Sequence, residues 1–306
     1  MTELGLGLAA LGRPAYITVG RAGALPAERS VAAMRAATWR VLDAAYAAGV
    51  RWVDAARSYG LSEDFLAGWL AERGHRDVTV SSKWGYAYVG GWRMDAEVHE
   101  VKEHSLARYV AQYAESRALL GSHLAIYQVH SLTADSPLFE DRALQAALAE
   151  QEVRAGFSTT GPRQADTVRR ALELTAGGRP LFASVQATWN VLEPSAGEAL
   201  AEAREAGLHV LVKETLANGL LAVRPPAEVA RVAARHGVGA DAVALAAVAA
   251  QPWAGTVLVG AVDERQLTAN LEATKIRLDA ADLAELADAA VPAERYWPAR
   301  GALPWT

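Results

Sequence analysis

The 306-residue chain contains no cysteine, which excludes disulfides, thiolate metal ligands and a cysteine nucleophile. It has no long apolar run either. The longest, Ala242–Ala250, falls far short of the ~20 residues that cross a bilayer as a helix. The opening residues, MTELGLGLAALGRPAY, lack the basic-then-apolar layout of a signal peptide. There is no excess of positive charge: the net charge is −5 and the basic residues are dispersed, which argues against a nucleic-acid surface. No Pro/Gly/Ser-rich linker, low-complexity tract or charge break divides the chain. These absences predict a soluble protein in a cytoplasmic setting, with neither nucleic acid nor membrane as a partner. Nothing in the pattern specifies an oligomeric state.

What the chain has is core-forming material, 52% hydrophobic residues, which is ample for a large interior. Length alone suggests about two domains, but α/β barrels reach this size as one. Short β-rich runs alternate with Ala-rich helical segments from end to end. The expected strands are Gly5–Leu11, Arg51–Asp54, Val78–Ser82, Leu124–Val129, Arg154–Ser158, Phe182–Ala187, His209–Val212 and Thr256–Val259. Helical patterns lie between them at Ser30–Ala48, Ser62–Arg73, Glu103–Leu120, Asp141–Glu150, Gln164–Leu174, Gly197–Ala206 and Pro226–His236. Asp241 reads as the N-cap of the apolar helix Ala242–Ala250. Such alternation implies parallel pairing with helical crossovers, and the strands show the apolar character of burial on both faces. Eight strands suit a closed (β/α)8 TIM barrel better than an open doubly wound sheet. The segment GLGLAALG also fails to supply a dinucleotide-binding G-x-G-x-x-G. The expectation is one α/β barrel domain over residues 1–306, with loops and the C-terminal tail gathered at the C-terminal face of the strands.

In such a barrel the chemistry collects at the strand ends. The second expected strand ends on Asp54, with Tyr59 in the following loop; the third runs into Lys83 and the fourth into His130. Taken singly, each has a structural explanation: a turn cap, a lid aromatic, a solvated lysine, a packing histidine. Together they aim a carboxylate, a phenol, an ammonium and an imidazole at one place. A phenol, with an ordinary pKa of ~10, is a poor acid at neutral pH, and a nearby ammonium lowers that value. The ammonium needs a carboxylate to stay charged where water is scarce, and an imidazole can orient a carbonyl oxygen. The set describes a general acid aimed at a carbonyl, whose counterpart is a hydride donor.

The motifs VDAARSYGLSE, SKWG, YQVH, GFS, VQATWN and VGAVDERQLTAN occur in this order. In these the chain resembles the aldo-keto reductase family over nearly its whole length. The resemblance implies a (β/α)8 barrel and NAD(P)H-dependent interconversion of carbonyls and alcohols, with Asp54, Tyr59, Lys83 and His130 as the catalytic tetrad. It implies that Ser158 and Gln186 hold the nicotinamide carboxamide, with Thr159 where the family often has Asn, and that Asn190 is a structural support. The seventh strand departs from the family. Lys213 and Glu214 replace an aromatic that stacks on the nicotinamide and the serine after it. A lysine stem can cover an apolar face, and its ammonium could approach the pyrophosphate. Leu216, Asn218 and Gly219 match the loop beneath the pyrophosphate, while Gly260, Ala261, Arg265, Gln266 and Asn270 match the adenosine end. Gly260 and Gln266 stand where NADPH-using members often carry a basic pair. Arg265 could contribute there, and Asp263 would repel a phosphate. Family prevalence favours NADPH over NADH.

Two other function classes fit parts of the sequence. A non-catalytic NAD(P)-binding redox-sensing subunit would retain the same tetrad, although no added N-terminal interaction segment is evident. A metal-dependent barrel enzyme would use His75, His99 and His104, but His99 and His104 lack i, i+4 spacing in a Glu-rich stretch expected to be helical and solvated. No metal is expected. Substrate recognition falls to the loops Arg13–Leu25, Trp84–Arg93 and Ser131–Phe139 and to the tail Tyr296–Thr306, with Tyr16, Trp84, Tyr86 and Trp92 as pocket candidates.

Overall fold

Eight strands pair in chain order until the last meets the first. The computed structural model describes residues 2–20 and 23–306; Arg21 and Ala22, within the expected Arg13–Leu25 loop, lie outside the described residues. The strands are β1 (Glu3–Gly7), β2 (Trp52–Asp54), β3 (Thr79–Trp84), β4 (Leu124–Leu132), β5 (Arg154–Thr159), β6 (Ser184–Thr188), β7 (His209–Lys213) and β8 (Thr256–Val259). Every neighbouring pair is parallel, and β1 pairs with both β2 and β8, so the sheet is a closed barrel.

The helices wrap outside. They are α1 (Val31–Ala47), α2 (Ser62–Arg73), α3 (Leu106–Leu120), α4 (Arg142–Glu150), α5 (Gln164–Leu172), α6 (Gly197–Glu205), α7 (Leu220–Val223), α8 (Ala227–His236), α9 (Ala240–Ala249), α10 (Glu264–Leu271), α11 (Ala280–Ala287) and α12 (Ala293–Gly301). None is long and apolar enough to cross a membrane. Their starts follow capping chemistry: Ser30, Ser105 and Asp141 each accept a hydrogen bond from an amide of the first turn. Ser105 therefore starts α3 three residues later than the pattern at Glu103 suggests. Asp241 is not a cap. Gly239 precedes α9, and Asp241 Oδ2 instead accepts from Asn270 Nδ2 at 2.8 Å. The first strand also stops early, because Leu11 and Gly12 both donate to Leu8 O and turn the chain.

The strands alternate more than their sequence suggests. Val53, Val80, Val129, Phe157, Val185, Val212 and Val257 face outward into the main core beneath the helices. Trp52, Ile126, Leu211 and Leu258 form a separate cluster inside the barrel. Two residues on from Trp52, Ile126 and Leu211 come Asp54, Gln128 and Lys213. Pleating thus stacks an apolar floor under a polar upper layer.

Two additions cover the upper end. A hairpin pairs Tyr86–Tyr88 with Glu100–Lys102. The tail bridges Trp305 to Ile17, with Tyr16 and Thr306 exchanging both backbone hydrogen bonds at 3.2 and 3.1 Å. The loop after β2 is held by Leu61 N donating to Gly12 O at 2.8 Å. This contact requires glycine: a Cβ on residue 12 would lie 2.2 Å from Tyr59 O and 2.5 Å from Ser62 Cβ. Gly12→Ala is expected to cost about 1–3 kcal/mol by overpacking this contact. A lowered thermal-unfolding midpoint checks it; an unchanged midpoint would show that the loop moves freely.

Candidate active site

The polar upper layer is organised by an ion pair. Lys83 Nζ contacts Asp54 Oδ2 and donates to Ala55 O at 3.0 Å, with Lys83 fully buried and Asp54 nearly so. Asp54 Oδ1 accepts from Ser81 Oγ at 2.7 Å, Gln186 Nε2 at 2.9 Å and Gln128 Nε2 at 3.4 Å. Four strands thus contribute to one carboxylate. The chain past β2 stays bonded to β3, with Ala55 N donating to Ser81 O and Arg57 N to Lys83 O. This places Tyr59 over the pair, its ring centroid 4.8 Å from Lys83 Nζ. The His130 ring meets that of Tyr59 edge-on at 5.5 Å. All four predicted tetrad residues are therefore brought together, and Asp54, Tyr59 and His130 line a cavity of about 620 Å³.

His130 is aimed by the backbone that follows it. Register between β4 and β5 shifts after Val129, and Ser131 takes a positive φ of 52°. Ser58 Oγ lies 3.3 Å from His130 Nδ1, leaving the other ring nitrogen for the cavity. Burial, then the charges of Lys83, Lys213 and Arg13, push the His130 pKa well below its ordinary value. The imidazole is neutral at pH 7 and suited to orienting a carbonyl by hydrogen bonding.

Tyr59 departs from the sequence expectation. Burial pushes its phenol well above the ordinary value and the Asp54 charge adds to this, while Arg13 pulls it down. Lys83 does not lower it on balance, because Asp54 neutralises the ammonium at contact and burial wins. Tyr59 accordingly carries its proton at neutral pH.

The cofactor candidates separate into two groups. Gln186, Lys213, Leu216, Asn218, Gly219, Gly260, Ala261, Arg265, Gln266 and Asn270 all line the cavity. Ser158 and Thr159 do not; Ser158 Oγ accepts from Ser131 N at 2.8 Å and Thr159 Oγ1 donates to Gln164 Oε1 at 3.3 Å. Thr160 stands in the wall instead. Gly219, at φ 91°, passes so close to Val19 that a Cβ would lie 2.3 Å from its carbonyl oxygen. Thr18 Oγ1 and Val19 N donate to Asn218 O at 2.8 and 2.9 Å, so the β1–α1 loop is strapped to the β7 loop along this wall. Asp263 is turned to capping α10, its Oδ1 accepting from Gln266 N at 2.7 Å, whereas Asp241 lines the cavity.

Lys213 and Glu214 belong to a buried charge cluster. Lys213 Nζ donates to Thr188 Oγ1 at 2.9 Å and lies 3.7 Å from Glu214 Oε1, which also pairs with Arg300 of α12. Burial lowers the Lys213 pKa and the Glu214 charge opposes this. Burial raises that of Glu214, but Lys213 and Arg300 outweigh it and hold the carboxyl down to about 2. Asn190 supports the bend, donating to Glu214 O at 2.9 Å and to Tyr296 Oη at 3.1 Å.

The pocket candidates need correction. Tyr16 and Tyr86 line the cavity; Trp84 and Trp92 do not. Trp84 is fully buried against His104 and Tyr109, and Trp92 packs on Phe65 and donates to Arg29 O at 2.6 Å. Strand β3 runs on through Trp84, and pleating turns this side chain away from the lumen side where Lys83 sits. His99 and His104 are not solvated either, being only 8% and 5% exposed. Neither lies in a helix. His99 stacks on Trp305 at 4.2 Å, and His75 stacks on Tyr46 at 3.5 Å. His104 Nε2 meets His130 O at 2.8 Å and its Nδ1 meets Ser136 Oγ at 2.8 Å, while burial lowers its pKa to about 4. A carbonyl partner requires the proton on Nε2, so His104 buttresses the backbone of His130.

Sequence reasoning missed several groups. Arg13 is buried over the rings of Tyr59, Tyr16 and Trp305 at 5.2, 4.9 and 5.1 Å and pairs with Glu100 at 2.8 Å. Arg300 and Trp305 reach the cavity from the far end of the chain. Only the tail's aromatic content hinted at this.

A closed parallel barrel with a chemically equipped cavity over the C-terminal ends of its strands belongs to the class of (β/α)8 barrel enzymes. The sequence then gives the family. The model described as the aldo/keto reductase family matches residues 3–290, and the chain belongs to that family. It is an oxidoreductase acting on carbonyls with NAD(P)H. Among solved structures the chain is similar to the aldo-keto reductase AKR11C1 from Bacillus halodurans in its holo form. The two share 23% identity and a TM-score of 0.71 over 95% of this chain and 93% of that one, a likeness of fold. No curated protein matches.

The Glu214 cluster gives a test of stability. A carboxyl held near 2 in the folded state contributes stability above its unfolded pKa of ~4.3, and that stability is lost as pH falls towards 2. Glu214→Gln should cost on the order of 2–3 kcal/mol at pH 7, the difference from the parent shrinking below about pH 4.5. Urea unfolding from pH 7 to 3.5 measures it; a constant difference would refute the linkage.

Proposed function

We propose that the protein reduces an aldehyde or ketone to an alcohol, or runs the reverse reaction, with Tyr59 as the proton donor and NADPH favoured over NADH. The partner is a small-molecule carbonyl or alcohol, and the setting is cytoplasmic. The observation that carries this reading is the placement of Tyr59 between Lys83 and His130, above the buried Asp54 pair and in the wall of one cavity.

The residues present suit a nicotinamide coenzyme. Gln186 Oε1 and Asn218 Oδ1 are buried oxygens without a hydrogen-bond partner in the structure, and both residues line the cavity. Such acceptors call for N–H or O–H donors, which a carboxamide and ribose hydroxyls provide. Gln186 would hold the carboxamide end, with Ser158 and Thr159 supporting the backbone beside Thr160. Leu216, Asn218 and Gly219 would flank the pyrophosphate, and Gly260, Ala261, Arg265, Gln266 and Asn270 the adenosine end.

When bound, the reduced coenzyme supplies a hydride to the carbonyl carbon. The chain's own residues manage the oxygen. His130, neutral, donates a hydrogen bond that fixes the carbonyl's orientation. Tyr59 keeps its proton until negative charge develops on that oxygen, a far stronger base than a phenolate, and then releases it. Arg13 beside the ring stabilises the phenolate left behind, while Lys83, held by Asp54, fixes the floor on which the ring rests. Burial of Tyr59 and the ion pair keeps water from competing for the proton.

At the adenosine end Arg265 is the cation in the wall among the described residues, which supports NADPH, while Asp241 narrows the margin. Tyr59→Phe should lower carbonyl-dependent NADPH oxidation by 100-fold or more, roughly the worth of a general acid, with coenzyme affinity unchanged. Turnover at the parent's rate would refute the assignment. Arg265→Ala should weaken NADPH binding about tenfold and leave NADH binding within about twofold, as loss of one charge-assisted phosphate contact requires. Equal effects on the two coenzymes would show that Arg265 does not read the 2′-phosphate.

A further inference from the structure

Lys213 lines the cavity, yet no step above uses its charge. Its ammonium is fixed by Thr188 Oγ1 and Glu214, and its field reaches Lys83 and Asp54. Lys83 is paired with Asp54 and Arg13 with Glu100, and His130 is neutral. Glu214 is shared between two cationic neighbours, Lys213 and Arg300, so at this point of the wall one carboxylate answers two cations.

Lys213 shares the wall with Tyr59, His130 and Gln186, and its charge acts on His130. Hydride transfer to a carbonyl that Tyr59 protonates brings donor and acceptor carbons to about 3–3.5 Å. A nicotinamide bound for this transfer would be held by Gln186 within reach of Tyr59 and His130, with Lys213 in the same wall. Its oxidised ring bears a formal positive charge and its reduced ring bears none. We propose that Lys213 selects the redox form of the coenzyme, making the cavity bind the reduced nicotinamide in preference to the oxidised one and biasing the enzyme towards carbonyl reduction. The inference rests on the proposed function, since it assumes that a nicotinamide occupies this cavity.

Two cations a few ångströms apart in a partly dry site repel enough to change affinity on the order of tenfold. The test is to titrate NADPH and NADP+ separately into the parent, Lys213→Met and Lys213→Arg, reading tryptophan fluorescence or calorimetric heat. The parent should bind NADPH more tightly. Lys213→Met should shrink the ratio of the two dissociation constants about tenfold, mainly by tightening NADP+, and Lys213→Arg should keep the parent's ratio. An unchanged ratio in Lys213→Met overturns the proposal. So does equal weakening of both forms, which would make Lys213 a pyrophosphate anchor. A Lys213→Arg ratio that collapses like that of Lys213→Met would show shape, not charge, to be responsible. Failure of the parent to bind either form would bring down the proposed function itself, a result distinct from binding with an indifferent ratio.

Discussion

The Lys83–Asp54 ion pair is the constraint around which the upper barrel is built. An ammonium fully out of water is tolerated only with a carboxylate in contact and the remaining hydrogen-bonding capacity filled. Ser81, Gln128, Gln186 and the Ala55 carbonyl fill it, drawn from β3, β4, β6 and the chain just past β2. Removing one partner of such a pair typically costs about 3–5 kcal/mol, because the other is left buried and uncompensated. The polar layer is thus both a structural commitment and the platform on which Tyr59 rests. The same neutralisation decides the electrostatics: with Lys83 balanced, burial governs the phenol and keeps its proton in place at neutral pH.

A second charged cluster closes the rim. Glu214, at φ 53°, sits between Lys213 and Arg300 and ties α12 to the end of β7. Ser131, Ala217 and Asn218 also have positive φ, and with Glu214 they fall on the β4 and β7 exits. Non-glycine residues held there are strained, and such strain persists where surrounding bonds over-determine it. Asn190 bonding to Glu214 O and Thr18 bonding to Asn218 O are those bonds. The tail adds Trp305, stacked on His99 and facing Arg13, so residues at opposite ends of the chain share the cavity mouth.

The (β/α)8 architecture was legible because alternation of strand and helix patterns reflects local propensity and the parallel pairing it forces. Asp54, Tyr59, Lys83 and His130 were legible because each lies at or just past a strand end, where position along the chain maps onto position in space. Trp84 was misjudged by one step of the pleat: its neighbour Lys83 faces the lumen, so Trp84 faces the helices. His104 was misjudged because its partners, Ser136 and the His130 carbonyl, are distant in sequence.

The sequence by itself determined the barrel, its family and the four residues proposed to carry the chemistry, since these depend on periodicity, strand ends and motif order. Only the tertiary structure decided which charges cancel. That Lys83 is neutralised, that Glu214 sits between two cations and that Arg13 lies over Tyr59 follow from contacts among β2, β3, β7, α12, the hairpin and the loops after β1 and β2. Electrostatic balance depends on distances between segments far apart in the chain, which no local pattern encodes.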